Sequence, residues 1–249
     1  MPGIEKRFFG KKLNEISSEM PQETHAQAEV SKQIQAAQNV EHPESYILLP
    51  ERKHGSYEYP NILVAKQRTL QGKNWNETQE ALAAEGKFMP TIRQYVDFLS
   101  LLKSGVAYDG TGALMQKQEL NSILDDILKV RSPWRTEWLD ASFEEKEDQL
   151  YISYHKFNPA GKLEQAQEPL QECLKQGKLP GISLEDWLKN ANEQGLPSPN
   201  ARQGNLYYWH PKEDCVAGFG AGSDGAVLDC GGYPRGSGSA LGVRECVSA

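Results

Sequence analysis

The sequence lacks the features that define several special classes of protein. Its 249 residues include only four cysteines (Cys173, Cys215, Cys230 and Cys246), none in a C-x-x-C spacing, which disfavours a disulfide scaffold and a zinc finger. No apolar run is long enough to span a membrane, and the N-terminal stretch has no apolar core of signal-peptide length. We therefore expect a soluble chain without an export signal or a membrane-inserted segment, and its location stays open.

Positive charge is also scarce. The chain has 27 lysine and arginine residues against 34 aspartate and glutamate residues, a formal net charge of -7 at pH 7. Binding to a nucleic-acid backbone or an anionic membrane surface normally requires a basic patch, so neither partner is expected. The apolar content of 38%, with five Trp, seven Phe and ten Tyr, is sufficient for a globular core.

A third absence is local. Lys, Glu, Gln, Met and Trp make up more than a quarter of the chain, yet none occurs from Asp214 to Arg244. No codon that ends in a pyrimidine encodes any of these five residues, whereas every residue type in the window can arise from an AAC codon whose adenines have been replaced. Within this window, eight of the chain's 22 glycines lie between Gly218 and Gly238. Adenine-directed mutagenesis of the gene would leave this composition.

Helix signals dominate the chain between residues 74 and 130. Asn74 with Glu77, and Thr91 with Gln94, have the spacing of capping boxes that begin helices. A third helix is predicted over residues 116–130, because its leucines and isoleucines recur with helical spacing.

Strand signals dominate the later part of the chain. The segments WRTEWLDASFE and DQLYISYHKF, separated by an acidic turn, predict a hairpin, and LYYWHP predicts a further strand. Short helical segments are predicted around residues 170–176 and after Ser183, and a short strand after Pro60. Helices followed by antiparallel strands are typical of an α+β fold. We predict one such domain over residues 46–249, preceded by a polar arm over residues 1–45.

The dipeptide Asp224-Gly225 predicts a two-residue hairpin turn, because both positions tolerate positive φ. The turn determines how the flanking strands pair and which side chains share a face. One face carries the pairs Ser223–Ala226, Ala221–Leu228 and Phe219–Cys230, which we expect in the core. The other carries Gly222–Val227, Gly220–Asp229 and Gly218–Gly231, which we expect to face outward. In this register Cys215 and Cys230 are too far apart for a disulfide.

The pattern V-A-x-F-x-A-x-S-x-x-A-x-L-x-C at residues 216–230, followed by SALGVR at 239–244, resembles the variable region of diversity-generating retroelement variable proteins. That family carries its diversified positions on a C-type lectin fold related to formylglycine-generating enzymes. The resemblance implies that the x positions are diversified to bind a ligand. The named positions, here called the frame residues, would maintain the fold. A looser likeness covers Asn74 to Glu137.

The resemblance implies a ligand-binding protein rather than an enzyme, with no metal or cofactor, and a variable region over about residues 207–244. Its ligand would be a protein or cell-surface molecule of unknown identity. The predicted contacts are Tyr208, Gly218, Gly220, Gly222, Asp224, Gly225, Val227, Asp229, Gly231, Gly232, Tyr233, Arg235, Gly236 and Gly238. Tyr233 and Arg235 are the expected anchors, because Tyr and Arg are frequent hot spots of binding. Joint replacement of Gly218, Gly220, Gly222, Asp229 and Tyr233 is expected to leave folding intact.

Two other functions stay open. One is an oxidase related to formylglycine-generating enzymes, which would require copper and a cysteine pair; the sequence GVREC at 242–246 departs from their terminal Gly-Phe-Arg-Cys. The other is a structural adhesin or tail component whose glycine-rich loop is a linker. A calcium-dependent sugar site is disfavoured, because the Glu-Pro-Asn and Gln-Pro-Asp motifs are absent. His210 and Cys215 lack the paired spacing of zinc ligands. The run Tyr207–Trp209 fits a stacking platform or the core, and the core is favoured for Trp209.

Overall fold

The computed structural model describes residues 7–8, 11–12 and 40–249. Within them the chain forms an α+β structure of four α-helices and four β-sheets, which confirms the predicted class. Most of the predicted arm, residues 1–45, lies outside the described residues. The described parts of that segment include two paired strands, β1 (Arg7–Phe8) and β2 (Lys11–Lys12), and a 3-10 turn at Pro43–Ser45.

A small sheet joins the beginning of the domain to the last residues of the chain. Strand β3 (Tyr46–Leu49) pairs with β6 (Ile62–Ala65), which in turn pairs with β15 (Cys246–Ser248). Strands β4 (Arg52–His54) and β5 (Tyr57–Tyr59) pair as a hairpin in the chain segment that connects β3 to β6. Strand β6 confirms the strand predicted after Pro60, and it is buried along its whole length, as expected for a central strand.

The helices begin where their capping residues predict. Helix α1 spans Trp75–Ala84, α2 spans Ile92–Ser104, α3 spans Lys117–Leu128 and α4 spans Leu184–Asn190. Both predicted capping boxes are present, and the Ser183 side chain accepts a hydrogen bond from the Asp186 N–H at the start of α4. The helical segment predicted at residues 170–176 is wrong: that stretch is irregular chain between the strands Leu163–Pro169 and Lys178–Ile182.

A large mixed sheet of eight strands forms the rest of the domain. Its strands are β7 (Arg135–Lys146), β8 (Gln149–Phe157), β9 (Leu163–Pro169), β10 (Lys178–Ile182), β11 (Leu206–Trp209), β12 (Cys215–Ala221), β13 (Ala226–Gly232) and β14 (Leu241–Gly242). They lie in the order β10-β11-β13-β12-β7-β8-β9, and β14 is added beside β7. The predicted β7–β8 hairpin is confirmed, and its turn residues Glu147 and Asp148 both have positive φ, as a two-residue turn of type I′ requires.

The predicted β12–β13 hairpin exists, but its register differs from the expected one by two residues. Phe219 pairs with Leu228 and Ala221 with Ala226, so the loop contains four residues, 222–225. The physical reason is local: Gly225 has a φ of 135° whereas Asp224 does not adopt positive φ, and a two-residue type I′ turn needs it at both positions. A shift of two residues preserves the parity of the strands, so the predicted division of side chains between two faces is retained.

The two faces of the sheet have different neighbours. On the inner face, Phe219 lies between the rings of Tyr95 from α2 and Trp187 from α4. On the outer face, Trp138 and Val216 pack with Leu82 of α1, which covers that part of the sheet. The outer face beyond the reach of α1, toward the 222–225 loop, stays open.

Candidate functional site

The open part of the outer face forms a groove of about 550 Å³. It is lined by Trp134, Thr136, Tyr207, Trp209, Val227 and Asp229, together with residues 221–225 at the end of β12 and in the hairpin loop. We call this cavity with its lining residues the groove. Four adjacent strands lie beneath the groove, and their paired residues form two rows. One row is Tyr207, Val227, Gly220 and Thr136; the other is Trp209, Asp229, Gly218 and Trp138.

Two tryptophans in the groove differ from the other three in the chain. Trp75, Trp138 and Trp187 each donate the indole N–H to a backbone carbonyl inside the fold. Trp134 and Trp209 are 52% and 42% exposed and, within the described residues, donate no hydrogen bond from the indole. Exposed indole rings without internal partners are well suited to ligand contact, because tryptophan is enriched among binding hot spots.

Strand β11 places its aromatic residues alternately inside and outside the core. Tyr208 is 1% exposed and donates its hydroxyl hydrogen to the carbonyl of Leu174, so the prediction that it contacts ligand is wrong. The core position favoured for Trp209 is also wrong, because two-residue alternation places Tyr207 and Trp209 on the face opposite Tyr208. That alternation was the available signal for Trp209; no local signal links Trp134 to the same surface.

The glycines of β12 are explained by close packing against β7. A Cβ atom on Gly220 would lie 2.5 Å from the carbonyl oxygen of Arg135, and one on Gly218 would lie 2.7 Å from the Cγ2 of Thr136. Both positions are buried. A Cβ on Gly222 would instead approach only the Cβ of Trp134, at an ordinary 3.5 Å. The expectation that all three glycines tolerate replacement therefore holds in this geometry only for Gly222.

Gly220→Ala is accordingly expected to lower the free energy of unfolding by about 1–3 kcal/mol, because the added methyl group forces the backbones of β12 and β7 apart. Gly222→Ala is the matched control and is expected to change stability by less than about 1 kcal/mol. Urea denaturation of the two variants measures the difference. Equal stability of the two variants would contradict the close approach of the strands.

Asp229 supplies a carboxylate to the floor of the groove, beside Trp209. Its Oδ1 accepts a hydrogen bond from the Gly231 N–H at 2.9 Å, and Oδ2 accepts none within the described residues. Burial raises the pKa of Asp229, while the Gly231 N–H and the positive charge of Lys212 act in the opposite direction. The ionised carboxylate is therefore held in a place where desolvation disfavours its charge.

The predicted contact residues separate into two surfaces. Those in the groove are Gly222, Asp224, Gly225, Val227 and Asp229. The expected anchors Tyr233 and Arg235 lie at the other end of β13, beside Trp75 and Cys215, and we call these four residues the Tyr233 surface. Tyr233 is 67% exposed. Tyr233 follows the seven residues of β13, so it lies roughly 23 Å along an extended strand from Ala226, the first residue of β13.

The remaining predicted contacts lie near the Tyr233 surface or in the loop that follows it. Gly231 and Gly232 end β13, and Gly232 pairs with Val216. Gly236 and Gly238 lie in the loop between β13 and β14, and a Cβ on Gly238 would meet no atom within 4 Å. This loop is attached to α1, because the backbone N–H of Trp75 donates a hydrogen bond to the backbone carbonyl of Pro234.

The cysteines and the possible metal ligands do not converge. All four cysteines are free thiols, and Cys173, Cys230 and Cys246 are buried. Burial raises the pKa of Cys215 and lowers that of His210. In the part of the chain that the structure describes, no three His, Cys, Asp or Glu side chains are grouped to hold a metal ion. No helix there combines the length and apolar character needed to cross a bilayer.

Comparison with known proteins identifies no relative: no family model, curated protein or solved structure matches the chain. The function of the groove therefore has to be inferred from its own geometry and chemistry. Its defining features are two exposed indole rings and a half-buried carboxylate.

Proposed function

We propose that this chain is a ligand-binding protein of the kind its sequence resembles, a variable protein with a C-type lectin fold, and that it binds its ligand in the groove. The observation that carries the proposal is the pair of exposed indole rings, Trp134 and Trp209, bordering an open sheet face. Aromatic side chains that are already held in place by a sheet lose little conformational entropy when they contact a partner.

The separation of frame residues from diversified positions supports the same function. Six frame residues of the hairpin are buried: Val216, Ala217, Phe219, Ala221, Leu228 and Cys230. Five of the seven x positions line the groove: Gly222, Asp224, Gly225, Val227 and Asp229. The other two, Gly218 and Gly220, are buried against β7. Mutations confined to the five groove positions would alter the groove while leaving the packing of the hairpin core in place.

The proposal shifts the main contact site away from the anchors expected from the sequence. Tyr233 and Arg235 remain exposed and belong to the Tyr233 surface, which has no indole ring free of an internal hydrogen bond. The groove combines two such rings with Tyr207 and Asp229. We therefore expect the groove to contribute more binding energy than the Tyr233 surface.

A display experiment tests this expectation. Random 12-residue peptides displayed on phage are selected on the immobilised protein, and the peptides obtained are measured against Trp209→Ala, Trp134→Ala and Tyr233→Ala. Either tryptophan variant should weaken binding of most selected peptides by about 1–3 kcal/mol, or 5- to 150-fold, because each removes a large contact surface. Tyr233→Ala is the matched control for loss of an exposed aromatic ring.

Thermal melting should be nearly unchanged in all three variants, since each residue is exposed. Selected peptides that depend on Tyr233 and are insensitive to both tryptophans would move the site to the Tyr233 surface. The proposed kind of protein has an independent genetic test. An adjacent reverse-transcriptase gene and a near-identical copy of the codons for residues 214–244, with adenines at the variable positions, should occur in the same genome.

A further inference from the structure

The charged residues of the groove are all of one sign. Asp224 and Asp229 line it, and no basic residue does among those described. Asp224 is exposed in the hairpin loop, whereas Asp229 lies on the floor. A ligand that fills the groove must therefore compensate negative charge or lose affinity through desolvation.

The carboxylate of Asp229 is incompletely satisfied by the protein. Its Oδ2 receives no hydrogen bond from a described residue, and no described basic side chain forms an ion pair with it. Lys212 is the nearest source of positive charge: a Cβ on Gly231 would lie 3.5 Å from the Oδ1 of Asp229 and 3.9 Å from the Cδ of Lys212, and the two side chains form no ion pair. Burying a charged group without a partner costs free energy, so an external cation is the complement that this position lacks.

One aromatic residue lies beside Asp229, and two more line the same groove. Trp209 is paired with Asp229 across β11 and β13, and Tyr207 is paired with Val227 in the next row. Trp134 borders the groove near Gly222, on the side of β7. Indole rings attract cations through their negative faces, and the planar guanidinium group of arginine both stacks on such rings and donates hydrogen bonds to carboxylates.

We propose that the groove recognises an arginine side chain of a protein partner, with the guanidinium group on the Oδ2 of Asp229 and against the ring of Trp209. This inference rests on the proposed function, which it makes more specific. Gly218 and Gly220 pair with Asp229 and Val227 on the neighbouring strand, and the side chain of Thr136 lies over both glycines.

A matched pair of peptides tests the chemistry. Acetyl-Gly-Arg-Gly-amide is titrated into the protein, with acetyl-Gly-citrulline-Gly-amide as the control, because citrulline has nearly the same shape as arginine and no charge. Binding is followed from the indole N–H signals of the five tryptophans in nitrogen-labelled protein. The arginine peptide should shift the signals of Trp134 and Trp209 and bind about tenfold more tightly than the citrulline peptide.

Two variants locate the charge that is responsible. Asp229→Asn should abolish the difference between the peptides, because it removes the carboxylate and retains the shape of the side chain. Asp214→Asn is the control, since it makes the same charge change at an exposed position outside the groove. It should leave the ratio of the two affinities intact.

Three other outcomes would each reject arginine recognition, and they differ in what they imply for the groove. Equal affinity of the two peptides, with shifts at Trp134 and Trp209, would reject arginine recognition but leave ligand binding in the groove standing. Loss of the affinity ratio in Asp214→Asn as well would assign the preference to overall charge. Absence of any shift at these two tryptophans would also reject the inference, whereas the peptide selection described above decides the proposed function separately.

Discussion

Arg244→Met is expected to lower the free energy of unfolding by about 3–5 kcal/mol. Arg244 is 1% exposed and forms two hydrogen bonds to the Glu137 carboxylate, at 3.1 and 2.8 Å. It also donates to the carbonyl of Ala65 at 2.9 Å and lies over the ring of Phe98. Loss of the guanidinium leaves Glu137 as a buried charge with one hydrogen-bond donor, the hydroxyl of Tyr95, and with the guanidinium of Arg135 at 4.0 Å.

A double variant separates loss of the charge partner from loss of packing. In Arg244→Met with Glu137→Leu both charges are removed, and the double variant should be more stable than Arg244→Met alone. Chemical denaturation measures both. A loss below about 1 kcal/mol in the single variant would contradict the burial of this ion pair and the role of the SALGVR segment in anchoring β14 to β6.

Phe219→Ala is the second large expected effect, a loss of about 3–5 kcal/mol through the cavity that it creates. Phe219 is 1% exposed, and its ring stacks on that of Trp187, with 5.9 Å between the ring centroids and an interplanar angle of 9°. The ring centroid of Tyr95 lies 5.3 Å from that of Phe219, with the two rings tilted by 41°. Neither partner can fill the space easily, because each side chain is itself buried and hydrogen-bonded.

Val227→Ala is the matched control on the same hairpin. Val227 is half-buried and lines the groove, so its truncation removes fewer contacts and is expected to cost about 1 kcal/mol or less. Leu228→Ala, on the core face, should follow Phe219→Ala with a loss of about 2–5 kcal/mol. A larger loss at Val227 than at Phe219 would mean that the two faces of the hairpin are reversed.

The elements predicted correctly are those whose signals act over a few residues. Asn74 and Thr91 begin helices because their side chains accept hydrogen bonds from N–H groups three residues later, an interaction that needs no distant partner. The β7–β8 hairpin is equally predictable from the sequence, since its turn joins strands that are adjacent in the chain. The irregular stretch 170–176 was mistaken for a helix because a short apolar pattern fits either structure.

The candidate site was predicted in part. Alternation along β12 and β13 identified which residues share the outer face, and this assignment survived a register error of two residues because such a shift preserves parity. Residue type alone predicts Tyr233 and Arg235 as anchors, but it carries no information about their distance from the groove. Both lie on the separate Tyr233 surface. The restriction on Gly220 was also hidden, since it arises from the backbone of β7 more than 80 residues earlier.

The sequence by itself determined the α+β class, the capped starts of three helices, the β7–β8 and β12–β13 hairpins, and the division of the C-terminal hairpin into a core face and an outer face. Tertiary structure alone decided that Trp134, Trp209 and Asp229 meet in one groove. Trp209 reaches Asp229 through the parallel pairing of β11 with β13, and Trp134 reaches the groove because β7 lies beside β12. Strand order of this kind depends on which faces bury the most apolar surface across the whole domain, and no local spacing in the sequence encodes that balance.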